Sequence, residues 1–225
     1  MALSGVGSRR TCDEIIASGR VRVNTKIVKK MGIEVVVGKD IVTLDNKAVA
    51  PITYEYYMLN KPLNTITAVA DENKKTVMEG IENGDRLFPV GRLDYNTTGL
   101  LVLTNNGEVA QKLMHPKFKI EKEYIATVKD ALSPKEMKAF AGGLDLGDFV
   151  SKPAKITLIG KGKVFTYSVI IHEGKNRQIR RMFTAVGHSV ISLKRIRFGK
   201  LTLGELKIGA IRNLTKTEID YLLSL

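Results

Sequence analysis

Cysteine is almost missing from this chain. Cys12 is the single one in 225 residues, which excludes an intramolecular disulfide and any cysteine-based zinc cluster. No apolar run approaches the roughly 18 residues of a membrane-spanning helix, and residues 1–7 (MALSGVG) lack the basic flank and apolar core of a secretion signal. His115, His172 and His188 are too far apart for an HxxxH or HxH pair, so a structural role for each is simpler than a metal site. There is no Gly-x-x-x-x-Gly-Lys-Ser/Thr loop and no strand-linked GxGxxG, which argues against nucleoside triphosphate or NAD chemistry. Nothing arranges Ser or Cys with His for acyl transfer. Acidic residues are also scarce, 23 against 36 Lys and Arg, for a net charge of +13. A hydrophobic fraction of 44% is too high for disorder. The expectation is a basic, globular, cytoplasmic protein.

Such a charge suggests a polyanionic partner, with a coat of solvated lysines as the alternative. Its distribution favours the partner. Residues 151–225 carry +11 and residues 1–50 carry +4, whereas 51–110 carry −3. Between Gly174 and Lys200 there are eight basic residues and no acidic one.

The punctuation predicts a small module over 1–49, a linker over 50–53 containing Pro51, and a larger α+β domain over 54–225. In the module, Ser8 can cap a helix to Ala17, followed by short strands at Val21–Val23, Ile33–Val37 and Ile41–Leu44 and a hairpin turn at Asp45-Asn46-Lys47. In the larger domain, strands are expected over Tyr54–Leu59, Leu100–Thr104, Glu123–Val128 and Val164–His172, and a short helix over Glu108–Met114. Ser133/Glu136 and Thr215/Glu218 have capping-box spacing and open two further helices.

Two stretches could carry chemistry. A helix from Asn176 as cap to Val186 places Ile179, Met182, Phe183 and Val186 on one apolar stripe, with Arg177 and Arg181 opposite and Arg180 on the flank. An arginine there can reach round into a cleft and meet a carboxylate or phosphate, or simply stay solvated. The second stretch, Gly91-Arg92-Leu93-Asp94, is a polar loop between apolar runs, a common place for catalytic groups; Asp94 could equally be an Asx-turn residue.

Taken in order, GRLDYNTTGLLVLTNNG (91–107), KEYIATV (122–128) and EGKNRQIRRMFTAVGHSVISLKRIRFG (173–199), together with GVGSRRTCDEIIASGRVRVN (5–24), resemble the S4-domain ribosomal RNA pseudouridine synthases over essentially the whole chain. The resemblance implies an α+β fold: an S4-like RNA-binding module, then a catalytic domain with a mixed, mainly antiparallel sheet flanked by helices. It implies that Asp94 is the catalytic aspartate, Tyr124 the active-site tyrosine, Arg180 the basic partner of the aspartate and Leu193 the apolar residue closing the pocket, with neither metal nor organic cofactor. Two departures stand out. The family's module opens with a further helix, most of which has no counterpart before Gly5, and Thr98 occupies a position that is more often acidic or serine.

The implied reaction breaks uracil N1 from ribose C1′ and rejoins the base through C5. It needs an ionised carboxylate beside the sugar, and a nearby guanidinium would keep it charged against burial. The target uridine must be unstacked; Tyr124 could stack on it or move the C5 proton. Arg9, Arg10, Arg92, Lys175, Asn176, Arg177, Gln178, Arg181, Lys194, Arg195 and Arg197 are expected to contact the RNA. The expected partner is a ribosomal RNA stem-loop with a flipped uridine, free or in a preribosomal particle, met by a monomer away from membranes. The Met114-His115-Pro116 and Lys122-Glu123-Tyr124 stretch leans toward a large-subunit substrate. The alternatives are a non-catalytic RNA-binding or ribosome-assembly factor, and a metal-dependent nuclease using Asp94 with Glu108 or Glu123.

Overall fold

A computed structural model describes residues 1–2, 4–36, 38–50, 53–81 and 87–225. The chain divides into two compact units at Tyr54/Glu55.

In the first unit, Ser8 caps helix α1 (Arg9–Ala17), its side chain accepting from the Thr11 N–H. A four-stranded sheet follows in the order β2-β1-β3-β4, formed by β1 (Val21–Val23), β2 (Lys26–Val28), β3 (Val42–Leu44) and β4 (Lys47–Ala48). The β3–β4 turn takes positive φ at both Asp45 (49°) and Asn46 (63°), as a two-residue hairpin with right-handed strand twist requires. The strand expected from Ile33 is not formed: residues 33–36 are irregular and exposed. Val36 instead enters a turn, its N–H donating to the Asp40 side chain (2.9 Å) and its carbonyl accepting from the Lys39 and Asp40 N–H groups. Val37 and linker residues 51–52 lie outside the described residues.

The second unit is α+β, as expected. Its described strands form one nine-stranded sheet, seven of them in the order β13-β5-β7-β11-β8-β10-β9: β5 (Tyr56–Lys61), β7 (Thr98–Thr104), β8 (Lys122–Val128), β9 (Lys155–Gly160), β10 (Phe165–Ile171), β11 (Val190–Phe198) and β13 (Ile211–Asn213). The short β6 (Phe88–Pro89) pairs with β7, and β12 (Leu201–Thr202) with β11. The pairings are antiparallel except β7 with β11.

β7 explains the two-faced core. Leu101 and Leu103 join one buried cluster with Phe140 of α3 (Pro134–Gly142) and Ile179, Met182 and Phe183 of α4 (Gln178–Ala185). Leu100 and Val102 point the other way, to Val109 and Leu113 of α2 (Gly107–Met114) and Leu222 of α5 (Lys216–Leu223). Burial on both faces makes the strand a continuous apolar run rather than an alternating one. Capping boxes at Ser133/Glu136 and Thr215/Glu218 open α3 and α5. The cap of α4 is a correction: it is Arg177, not Asn176, in the left-handed region (φ 49°) with no side-chain capping bond. No described helix is long and apolar enough to cross a membrane.

The parallel pairing of β7 and β11 positions the site. It sets Thr98 against Lys194 and Gly99 against Arg195. Gly99 has φ 110°, and a Cβ there would lie 2.1 Å from the Arg195 carbonyl oxygen. Only glycine lets the strand that follows the Asp94 loop come this close to β11.

Candidate active site

Asp94 opens a turn closed by a hydrogen bond from the Thr97 N–H to the Asp94 carbonyl (3.0 Å). Around this turn the backbone is tied down from several directions. Leu93 both donates to and accepts from Thr67 Oγ1 (3.2 and 2.8 Å), and the Asn64 N–H donates to the Tyr95 carbonyl (3.0 Å). Arg180 Nη2 donates to the Asn96 carbonyl (2.7 Å) and Lys61 Nζ to the Thr97 carbonyl (3.0 Å). The Asp94 side chain itself is half-buried. Its position is therefore set by hydrogen bonds to neighbouring backbone, while its carboxylate faces a cleft.

That cleft is open to solvent and is lined by Asp94, Tyr124, Leu193, Ile171 and Ile179, with Arg92, Lys175, Arg177 and Gln178 among its polar lining. Tyr124 is 8% exposed and Leu193 5%, so an apolar wall and one aromatic ring line the same cleft as Asp94. Tyr124 comes from β8 and Leu193 from β11, neighbours in the sheet, where Tyr124 lies opposite Arg195. Arg92, Lys175 and Arg177 are exposed. Cations above an apolar, aromatic pocket suit a base that enters while its phosphates stay outside.

Arg180 reaches the site differently from the expected ion pair. Its guanidinium bridges the Val190 carbonyl (3.0 Å) and the Asn96 carbonyl, and Nε has no partner. No Asp94–Arg180 contact forms within ion-pair distance. The charge still acts: burial and Arg177 lower the Arg180 pKa, and Asp94 opposes them. Arg180 thus holds the Asp94 turn by its backbone.

Several residues expected to contact RNA already have partners within the fold. Arg195 is only 2% exposed, donates from Nε to the Leu100 carbonyl (2.7 Å) and stacks on Phe198, so it is part of the sheet interior. Arg197 is held by Glu121 and Glu123, and Arg181 by Asp148 and the Leu146 carbonyl. Gln178 is buried, bonded to Glu173 (2.5 Å) and the Lys175 N–H (3.1 Å), and lines the cleft beside Lys175 and Arg177. Asn176 is exposed and Lys194 half-buried, and neither lines the cleft. Arg9 and Arg10 are exposed at the start of α1.

The carboxylates considered as partners of Asp94 in a nuclease are not gathered around it. Glu123 is committed to Arg197 and Ser168. Among the described residues no three His, Cys, Asp or Glu are placed to hold a metal ion.

The residues that sequence reasoning missed are Lys61, Asn64 and Thr67, which follow one another at the end of β5 and in the loop beyond it. Lys61 had a signal, since it closes an otherwise buried strand directly before Pro62. It is 0% exposed, and burial lowers its pKa to about 8, opposed by Asp94.

A carboxylate, a tyrosine and an apolar wall in one cleft suit chemistry on a flipped base, and the comparisons with known proteins give the class: an RNA-modifying isomerase of the pseudouridine type. The chain belongs to the RNA pseudouridylate synthase family, whose profile matches residues 55–185, and an S4 domain profile matches residues 1–41. Over its whole length, and 94% of the relative's, it is 43% identical to the ribosomal large subunit pseudouridine synthase B of Bacillus subtilis. An uncharacterised RNA pseudouridine synthase of Aquifex aeolicus is 40% identical over 97% of this chain and 90% of that one. A solved pseudouridylate synthase superimposes with a TM-score of 0.71 at 30% identity, covering 96% of this chain and 94% of its own. The non-catalytic and nuclease alternatives give way to the enzyme class.

The exposed cations give a prediction for binding. RNA affinity should fall steeply with salt. Arg177→Ala should flatten the log–log slope by about 0.7–0.9, one phosphate contact. Arg181→Ala should change it much less, because Arg181 is already paired. Filter binding from 50 to 300 mM KCl (roughly the range in which such slopes are resolved) distinguishes the two variants, and equal slopes in wild type and Arg177→Ala would remove Arg177 from the phosphate contacts.

Proposed function

We propose that this synthase converts one uridine of large-subunit ribosomal RNA to pseudouridine, with Asp94 as the catalytic carboxylate. The observation that carries the reading is the position of Asp94: it is fixed through its backbone and open to a cleft of base-binding character. The full-length similarity to the large-subunit enzyme of Bacillus subtilis supports the choice of RNA. The uridine is turned out of its stem-loop into the cleft, where Tyr124 supports the ring and Leu193, Ile171 and Ile179 exclude water. Asp94 acts at the ribose, the N1–C1′ bond breaks, the base turns and C5 bonds to C1′. The C5 proton is lost and N1 takes one up, so no atom is gained or lost overall. Arg92, Lys175 and Arg177 hold phosphates outside, and Arg9 and Arg10 of the module over residues 1–49 add further RNA contacts. The enzyme acts as a monomer in the cytoplasm, on free RNA or an assembling particle.

Pseudouridine mapping of ribosomal RNA from cells with and without the gene tests the substrate. The expected result is loss of modification at one large-subunit uridine or a small cluster. Loss confined to the small subunit, or no loss, would contradict it.

A further inference from the structure

The cleft accounts for only part of the +11 carried by residues 151–225. Arg180, Arg181, Arg195, Arg197 and Arg212 are each bonded to an acceptor within the fold. Four lysines of the same stretch are not. Lys152, Lys155, Lys161 and Lys163 are exposed, and among the described residues none makes an ion pair or a side-chain hydrogen bond. No Asp or Glu occurs from Ser151 to His172.

The fold sets these lysines in a row. β9 is the outermost strand at its end of the sheet. Ile156 and Leu158 pack on the core, so Lys155, Thr157 and Ile159 project to the other face, where they are exposed. Lys155 stands at the cleft end. It pairs with Ile170, and the next residue, Ile171, lines the cleft. The Lys152 N–H donates to Glu173 (2.8 Å), directly before the lining residues Gly174 and Lys175. Lys161 and Lys163 stand at the far end, in the turn from β9 to β10. At about 3.3 Å per residue, Lys155 and Lys161 are roughly 20 Å apart. A lysine on an edge strand commonly guards it against pairing with another sheet. That role fits Lys155, but Lys152, Lys161 and Lys163 lie outside the strand.

We propose that the β9 edge is a second RNA-contacting surface, on which Lys152, Lys155, Lys161 and Lys163 follow the phosphates of the double-helical stem that leads to the target uridine. The inference rests on the cleft taking a nucleotide of RNA. A row of unpaired cations of this length, starting at the rim of the cleft, fits an extended polyanion. Duplex RNA is gripped through its phosphates and shape rather than its base edges. The exposed residues of β9 and its turn include no aromatic ring on which a single strand could stack. The contact adds affinity without sequence preference, so it holds the stem while the cleft selects the base.

The experiment is filter binding of the full chain to a blunt RNA duplex of about 16 base pairs, which has no loop to enter the cleft, from about 50 to 300 mM KCl. A triple variant, Lys155→Gln with Lys161→Gln and Lys163→Gln, is compared with Lys117→Gln, Lys207→Gln and Lys216→Gln combined. The second set removes the same charge from exposed positions outside the row. The first triple variant should bind about tenfold or more weakly at about 100 mM KCl, and its log–log salt slope should fall by about 2 to 3, for three phosphate contacts. The second should stay within a few-fold of wild type. Acetylation of the wild-type chain with and without the duplex, read by mass spectrometry, decides even if a variant fails to fold. Lys155, Lys161 and Lys163 should be protected, and Lys207 and Lys216 should not. Equal slopes in the two folded triple variants, no protection of the row, or no binding of the duplex by the wild type would overturn the proposal and leave the lysines to the strand edge or to an acidic protein. Conversion of large-subunit ribosomal RNA by the wild type is measured alongside. Its absence would reject the function proposed above, whereas conversion beside an unprotected row rejects the lysine row alone.

Discussion

Asp94→Asn should lower the rate of pseudouridine formation by about 10³-fold or more, the scale on which loss of a positioned acid–base or nucleophilic group is felt. RNA affinity should stay within a few-fold of wild type. The asymmetry follows from the site. The Asp94 backbone is held by the Thr97 N–H and its neighbours by Thr67, Asn64, Arg180 and Lys61, none of which depends on the carboxylate. An amide can occupy the same place without disturbing those bonds, but it can neither attack C1′ nor take a ribose proton. The phosphate contacts assigned to Arg92, Lys175 and Arg177 are untouched. Single-turnover kinetics and filter binding on the same preparations separate the two effects. A large loss of affinity with little loss of rate would place Asp94 in binding rather than chemistry.

Arg180→Lys should reduce the rate by about 10²-fold without changing net charge. The guanidinium spans two carbonyls that lie in different parts of the chain, Val190 at the start of β11 and Asn96 in the Asp94 turn. An ammonium is a single point and cannot keep both bonds with the same geometry. A buried carbonyl left without its charged donor costs about 1–3 kcal/mol, and a loss near the upper end corresponds to about 10²-fold if it falls on the transition state. Because the released carbonyl sits two residues from Asp94, misplacement of the turn is the immediate consequence. The loss should appear in the rate constant at saturating RNA. A shift in KM alone would show that Arg180 serves binding.

The elements most legible in the sequence were those with local signals. Ser8, Ser133/Glu136 and Thr215/Glu218 mark helix starts through their own side chains, and the structure forms those caps. The continuous apolar run of β7 also announced a strand buried on both faces. β11 was not expected as a strand, although it lies between β7 and β8 in the sheet. Its sequence, VISLKRIRF, reads as a basic segment, yet Arg195 is buried through a bond to a carbonyl of the neighbouring strand and Arg197 is neutralised by Glu121 and Glu123. Charge counting cannot reveal such pairings, because the partners are 74 or more residues away. The same limit applied at the site. Asp94, Tyr124 and Leu193 came through the family resemblance, and the structure brings them to one cleft. Lys61, Asn64 and Thr67 act through backbone atoms of the Asp94 loop, a role that no residue pattern within the loop itself encodes.

The most direct test of the account is conversion in vitro. Unmodified large-subunit ribosomal RNA is incubated with the purified chain in EDTA and its uridines are mapped. The account predicts pseudouridine at a defined site, intact RNA length, and no product with Asp94→Asn. An RNA left unmodified by the wild-type chain, or converted equally by Asp94→Asn, would contradict it.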